Sequence, residues 1–327
     1  MASPGGRGDL EGESLPEVIV DFPEFPGPLR FTAPCERLTT RDSAEVTALL
    51  ARADARARAG AWVAGFVAYE AAAAFGLTVR PPWPDQPLLW LGVFDAPQPL
   101  CHSALLPVPT LPEAVMECDA VGHAAALARI KDWITAGETY QVNQTLRAIL
   151  PGSPHPAQLW QALHPRHHFP YSALVRTGSL EIASFSPELF LSRLGGRLTT
   201  GPIKGTRPRH ADAARDMALA RELAQSPKDR AEHVMIVDMA RNDLNRVCRP
   251  GSVRVGRYAA GRRFSTVHHL ESLVQGEVDP ELGWEALFAA LFPAASITGA
   301  PKHRTMELIA ANEVSPRGVY CGAMGVL

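Results

Sequence analysis

Gly201-Pro202-Ile203-Lys204-Gly205-Thr206-Arg207-Pro208-Arg209 is the stretch around which the rest of the chain is arranged. Two prolines fix φ and two glycines open conformations that other residues avoid, so the segment reads as a stiff turn with one lysine near its middle. Gly205 lets the backbone beside Lys204 approach a ligand closely. Thr206, Arg207 and Arg209 add a hydroxyl and two permanent cations. A lysine held in such a turn can lose solvent, drop its pKa and act as a nucleophile. The competing reading is a basic surface turn with Lys204 solvated.

Just upstream, residues 189–194 and 197–200 read as strands joined at Gly195-Gly196, and residues 170–175 and 180–185 as a second pair. Ser186-Pro187-Glu188 leads into this meander. Glu188 and Lys204 then sit near opposite ends of a hairpin, where their chemistry can converge. Downstream, residues 211–224 read as a helix. Ser226-Pro227-Lys228-Asp229 starts another, with Ser at the N-cap, Pro at N1 and Asp at N3. Asp229 and Glu232 are three apart and share a face of that helix; Asp238 follows, and residues 241–247 end it polar. Residues 253–255 and 265–274 read as strands, the second carrying His268 and His269. Residues 284–291 read as a helix and 293–301 as a loop. Pro301 opens a last helix to about residue 312, and 319–327 read as a strand.

Toward the N-terminus, residues 124–136 have helical apolar spacing closed by Gly137. Gly137 to Thr145 is a helix stop followed by a strand, in which Gln141 and Asn143 serve either an internal hydrogen-bond network or a ligand. Residues 96–113 hold five prolines and read as a linker or edge. Residues 88–94 and 62–69 read as buried strands, the latter followed by a short Ala-rich helix. Thr40 or Ser43 caps a helix over residues 44–59. Residues 16–33 read as Pro-rich and irregular, and 1–15 as disordered. The expected fold is α+β: two mostly antiparallel sheets packed as a sandwich with helices outside. Residues 16–115 form its N-terminal portion and 116–327 the core that carries the chemistry.

The 327 residues allow one large domain or two. At 46% hydrophobic and 20% charged the chain is an ordinary globular one. A net charge of −2 provides no general attraction for nucleic acid or anionic lipid. The five cysteines are scattered without a CxxC pair, which suits free thiols in a reducing cytosol. The first fifteen residues lack the apolar run of a targeting segment. The most apolar stretch, residues 61–77, is interrupted by Glu70 and too short to span a membrane. These features predict a cytoplasmic protein.

Two further groups suit chemistry. Asp229 and Glu232 suit Mg²⁺, which takes few protein carboxylates and completes its shell with substrate oxygens and water. Capping alone explains Asp229; Glu232 lies deeper in the helix and is the better ligand. Ser296-Ile297-Thr298-Gly299-Ala300-Pro301-Lys302 puts small residues at a helix N-terminus, an arrangement that suits an anion or ordinary capping equally.

Several of these stretches resemble one family. Pro202 to Arg209, with Ser184-Phe185-Ser186-Pro187-Glu188, is similar to the chorismate-binding enzymes, and within them to aminodeoxychorismate synthase component I. Residues 137–143, Lys228-Asp229-Arg230-Ala231-Glu232, Val267-His268-His269-Leu270, Ser296 to Lys302 and Tyr320-Cys321-Gly322 fall on further motifs of that family in the same order. The resemblance is dense over residues 121–327 and loose over 62–72.

It implies an Mg²⁺-dependent enzyme that converts chorismate and ammonia to 4-amino-4-deoxychorismate, on the way to p-aminobenzoate and folate, with ammonia from a glutamine amidotransferase subunit. Lys204 is implied as the nucleophile that attacks C2, and Glu188 as the general acid for the leaving C4 hydroxyl and then base. Glu232 and Asp229 are implied as metal carboxylates. Gly205, Thr206, His269, Thr298, Gly299, Ala300 and Tyr320 are implied around the substrate, and His268 as structural. Residues 170–172 match a segment beside a buried tryptophan site in some members, although strand aromatics are usually core. Anthranilate synthase component I shares the motifs but usually has Ala in place of Lys204. Family members continue past Tyr320-Cys321-Gly322 into strands with a substrate-carboxylate Arg and a last helix with a second metal carboxylate. By resemblance this chain is therefore truncated or needs a separate piece, and is poorly soluble and weakly active alone. A remnant that binds chorismate or an amino acid without catalysis is the third reading.

Overall fold

A computed structural model describes residues 15–100, 105–167 and 169–327. Of the segment 1–15 expected to be disordered, residues 1–14 lie outside them, as does part of the Pro-rich stretch 96–113. Residues 16–33 are not irregular: Glu17–Asp21 and Leu29–Thr32 are paired strands. Of their prolines, Pro16 precedes the first strand and Pro23, Pro26 and Pro28 fall in the connection, where no ladder hydrogen bond is needed. The first strand is buried at Val18, Ile19 and Val20 because it lies inside a sheet, with Leu29–Thr32 on one side and Tyr171–Arg176 on the other. Glu181–Ser186 extends that sheet beyond Tyr171–Arg176, and Gln98–Pro99 closes its other edge.

A second sheet runs Ala323–Val326, Trp62–Val67, Leu89–Phe94, Glu36–Thr40. The first two sheets face each other across Val18, Val20, Phe31, Phe66, Trp90, Phe94 and Val175. Helices cover the outer faces. Ser43–Arg58 sets Val46, Leu50 and Ala53 on Val63, Leu89 and Val93 of the second sheet. Burying each larger apolar side chain this way contributes roughly 1.5–3 kcal/mol. Pro156–Leu163 sets Trp160 on Ile19 and Leu174 of the first. The N-cap of Ser43–Arg58 is Asp42, whose carboxylate accepts from Ala44 N, while Thr40 Oγ1 accepts from Asp42 N. Neither expected cap, Thr40 or Ser43, does this work.

The third sheet carries the decisive stretch. Leu189–Leu194 pairs with Arg197–Gly201 as the predicted hairpin. The chain after Gly201 does not turn. Arg197–Gly201 and Ile203–Pro208 lie in succession along the long strand Val267–Glu277. The Pro202 carbonyl between them accepts from Ser272 N at 3.1 Å. The expected stiff turn is therefore an extended strand, with a bulge where Lys204 pairs with Leu270 and Thr206 with His269. Gly205 sits at that bulge with φ +84. Arg254–Arg263 pairs along Val267–Glu277 as well and is ten residues long where three were expected. Its Arg254, Arg257, Arg262 and Arg263 charge an exposed strand and hide the apolar alternation that marks a half-buried one.

Pro227–Asn245 and Trp284–Leu291 close the third sheet, packing Val237, Leu244, Leu287 and Leu291 on Leu198 and Val274. The named ladders are all antiparallel, and with the covering helices they bear out the expected α+β class. No helix among the described residues is long and apolar enough to cross a membrane.

Candidate active site

Glu188 enters the site through a local device. The Ser186 hydroxyl accepts from Glu188 N at 3.2 Å and so shapes the turn after Glu181–Ser186. Two residues on, the Phe190 ring packs against Phe288 and Phe292. Leu189 pairs with Gly201, which puts Glu188 and Lys204 at the same, open end of the hairpin. Opposite ends, the expected placement, would hold only if the hairpin were unrolled along the sequence.

The two side chains meet at one residue. Ser296 Oγ donates to Glu188 Oε1. The Ser296 carbonyl accepts from Lys204 Nζ at 2.8 Å. Ser296 is 3% exposed and lies in the short 3-10 turn Ala295–Ile297. Burial pushes the Glu188 carboxyl up to about 7, against the Ser296 hydrogen bond and the Lys204 charge. Burial also pushes Lys204 down, against the carboxylates of Glu188 and Glu232. Burial therefore disfavours the charged form of both groups.

His269 Nδ1 lies 3.0 Å from Thr206 Oγ1 and 3.1 Å from the Gly205 carbonyl. Burial lowers its pKa, so the ring is neutral near neutral pH. His268 is structural, as expected: it is buried and its Nε2 lies 2.8 Å from Asp216 Oδ1. Arg209 and Arg263 also bond Asp216, and the Arg209 bond above all holds that carboxyl well below the usual range. The cation Arg209 is thus spent on the fold. His233 is fully buried beneath the Lys204 strand, with Nε2 at 2.7 Å from Ser272 Oγ.

The helix start reads as predicted: Ser226 Oγ accepts from Asp229 N, with Pro227 at the first position. Asp229 Oδ2 accepts from Arg207 Nη2 at 3.1 Å. Glu232 has Lys228 Nζ 3.8 Å from its Oε1. Such a loose pair is worth little and leaves the carboxylate available. Glu232 is thus the freer of the two carboxylates, while Asp229 is turned to Arg207. Among the described residues no group of three or more His, Cys, Asp or Glu is placed to hold a metal ion.

Thr298, Gly299 and Ala300 are buried. Gly299–Ala300 pairs with Gln141–Val142, and Asn143 N donates to the Thr298 carbonyl. The backbone of this segment is thus engaged in a short ladder rather than displayed as a helix N-terminus. The same ladder takes Gln141 and Asn143 into an internal network through their backbones. Tyr320 is 64% exposed, but the next residue, Cys321, lies close enough to Lys204 to act on its charge. The structure therefore brings Glu188, Lys204, Ser296 and Glu232 together, with Gly205 and Thr206 on the Lys204 strand, His269 on the strand beside it and Asp229 on the Glu232 helix. Ser296 carried no assigned role in the sequence. A hydroxyl in a small-residue loop was visible, but nothing local shows that it reaches a hairpin more than ninety residues upstream.

Two other residues were missed. Arg317 is buried and bonds Glu313, the Ile297 carbonyl and the Asn143 carbonyl, so it holds the turn that bears Ser296. Glu271, buried and paired with Arg257 and Arg262, adds negative charge near Glu188.

Residues 107–327 match the model of a family described as chorismate binding enzyme. Aminodeoxychorismate synthase component 1 of Bacillus subtilis is 44% identical over 204 residues, 62% of this chain and 43% of the relative. An anthranilate synthase component 1 of Haloarcula marismortui is 41% identical over 210 residues, 64% of this chain and 42% of the relative. The chain thus spans less than half the length of these curated relatives. Among solved structures, anthranilate synthase component I of Streptococcus pneumoniae superposes with a TM-score of 0.73 at 22% identity, over 100% of this chain and 83% of the other. At that identity the likeness shows the fold. Taken with the matched span of residues, it means that the chain belongs to the chorismate binding enzymes.

Proposed function

We propose that this chain has the activity of an aminodeoxychorismate synthase component I, replacing the C4 hydroxyl of chorismate by an amino group. The observation that carries the reading is Lys204 Nζ, depressed by burial and set beside a carboxyl raised to about 7. The Lys204 lone pair forms a bond to C2 of the ring, both ring double bonds shift, from C1=C2 to C1=C6 and from C5=C6 to C4=C5, and the C4–O bond breaks. Glu188 gives its proton to the departing oxygen, which leaves as water. Ammonia then forms the C4–N bond, both double bonds shift back to C5=C6 and C1=C2, and the C2–Nζ bond breaks to return Lys204. Glu188, now a carboxylate, takes the proton that the incoming nitrogen loses.

Gly205, Thr206, His269, Thr298, Gly299, Ala300 and Tyr320 are the residues we assign to the surroundings of the substrate. His269, neutral, offers its free ring nitrogen without adding charge. Mg²⁺, when bound, supplies positive charge to the ring carboxylate. Glu232 would hold it, with Asp229 as the second carboxylate if Arg207 yields it.

The relatives' designation as component 1 supports a separate glutamine amidotransferase as the source of ammonia. The described cysteines are free, which supports a cytoplasmic location. Matches to anthranilate synthase component 1 give a second reading, in which the amino group enters elsewhere on the ring. The presence of Lys204 favours the first. Incubating the chain with chorismate, Mg²⁺ and ammonium and identifying the product by mass and fragmentation decides between them. An ortho-aminobenzoate product, or pyruvate release, would overturn the first reading.

A further inference from the structure

We propose that Ser296 is a positioning residue that couples the acid and the nucleophile of this site, its hydroxyl orienting Glu188 while its carbonyl orients Lys204. The proposal rests on the roles given to Glu188 and Lys204 in the preceding subsection. Both contacts come from one residue, so the spacing between the two reacting groups is set by a single peptide unit. That unit is itself fixed. Thr298 Oγ1 donates to the Ala294 and Ala295 carbonyls, each at 3.2 Å. Arg317 Nη1 donates to the Ile297 carbonyl at 2.7 Å, and Asn143 N to the Thr298 carbonyl at 2.8 Å. The carbonyls on either side of Ser296 are thus committed elsewhere, and the Ser296 carbonyl faces Lys204.

The hydroxyl also acts on charge. A donor to a carboxylate favours the ionised form and holds its pKa down, here against the rise imposed by burial. The other groups facing Glu188 are Lys204, the Ile203 amide and Glu271, the last also paired with Arg257 and Arg262. Those facing Lys204 are Glu188, Glu232 and Cys321, with the neutral His233 ring under its backbone. Ser296 is the member of this set that touches both. In Ser296→Ala the carbonyl remains, so any change reports the hydroxyl alone.

The test uses the full chain as wild type, Ser296→Ala and Ser296→Thr. The Glu188 carboxyl is titrated by infrared difference spectroscopy, its band assigned with Glu188→Gln, and chorismate turnover is measured across pH. We expect Ser296→Ala to move the carboxyl midpoint up by about one pH unit. The same variant should lower kcat by about tenfold to a hundredfold and change KM by less than about twofold. Ser296→Thr, which restores a hydroxyl, should recover both quantities. An unchanged midpoint in folded Ser296→Ala, a rise in KM at constant kcat, or a Thr variant as impaired as Ala would each overturn the proposal. If wild type leaves chorismate untouched, the functional reading fails, while the titration still decides whether Ser296 is coupled to Glu188.

Discussion

Lys204 and Glu188 are each disfavoured in their charged forms, and that shared penalty makes the pair chemically useful. A solvated lysine at neutral pH is a cation and cannot attack; a solvated glutamate is an anion and cannot protonate a leaving hydroxyl. Burial works against both charged forms, lowering Lys204 and raising Glu188 to about 7. Replacing Lys204 by Ala should abolish the 4-amino product, with kcat lowered at least about a thousandfold; a wild-type rate in that variant would rule out the covalent route. Glu188 also leaves a mark on stability. Its folded value of about 7 lies above the ordinary 4.5. A group raised in this way contributes its stability fully below the unfolded value and loses it as pH rises through the folded one. Glu188→Gln cannot ionise, so it should be more stable than wild type at about pH 8, by up to about 3 kcal/mol, and equal to it near pH 4. Urea unfolding at the two pH values measures this, and a variant less stable at the higher pH would mean that the carboxylate is stabilised by the fold.

At the scale of elements, the bulge in Ile203–Pro208 decides where Lys204 points. Gly205 combines φ +84 with a crowded surround: an added Cβ would lie 2.9 Å from Leu223 Cδ1 and 3.3 Å from Asp229 Cβ. Gly205→Ala should cost about 1–3 kcal/mol, read as a lower Tm, and should weaken turnover as the strand shifts off its helices. Gly195→Ala, at φ +57 with nothing within 4 Å of the new atom, is the control and should cost about 1 kcal/mol or less. This bulge was legible only in part. The Gly205 signal was present, but the prolines around it pointed to a turn, and pairing with Val267–Glu277 overrode them. Signals carried by neighbouring residues survived better: the Ser226-Pro227-Asp229 helix start, the Gly195-Gly196 hairpin and the helix Trp284–Leu291 all appear where the sequence put them. Two strands did not: Glu17–Asp21 sits inside a sheet only through the distant Tyr171–Arg176, and Arg254–Arg263 hides its alternation behind arginines. The same division runs through the site. Lys204, Glu188 and Glu232 were readable as residue types in telling surroundings, whereas Ser296 and Arg317 act through contacts that no local spacing reveals.

Across the whole molecule, Arg317 joins the sandwich to the site. Its guanidinium lies 4.6 Å over the Tyr69 ring at the end of the second sheet. It bonds Glu313 through two nitrogens, and the Asn143 and Ile297 carbonyls as well. Its own backbone amide and that of Gly318 are taken by the buried Glu70 carboxylate. Arg317 and Glu313 are 4% and 5% exposed, so neither charge can fall back on water if the other is removed. Arg317→Met should therefore cost about 3–5 kcal/mol, because Glu313 is left buried with only the Thr145 amide and hydroxyl. Adding Glu313→Gln should return much of that loss, since the stranded charge goes with it. The two effects separate in turnover: the double variant should regain stability but not rate, because the Ile297 carbonyl stays unbound and the turn that carries Ser296 is no longer held. Equilibrium unfolding and kcat measured on both variants test this. Arg317→Met within about 1 kcal/mol of wild type would mean that apolar packing alone joins the sandwich to the site.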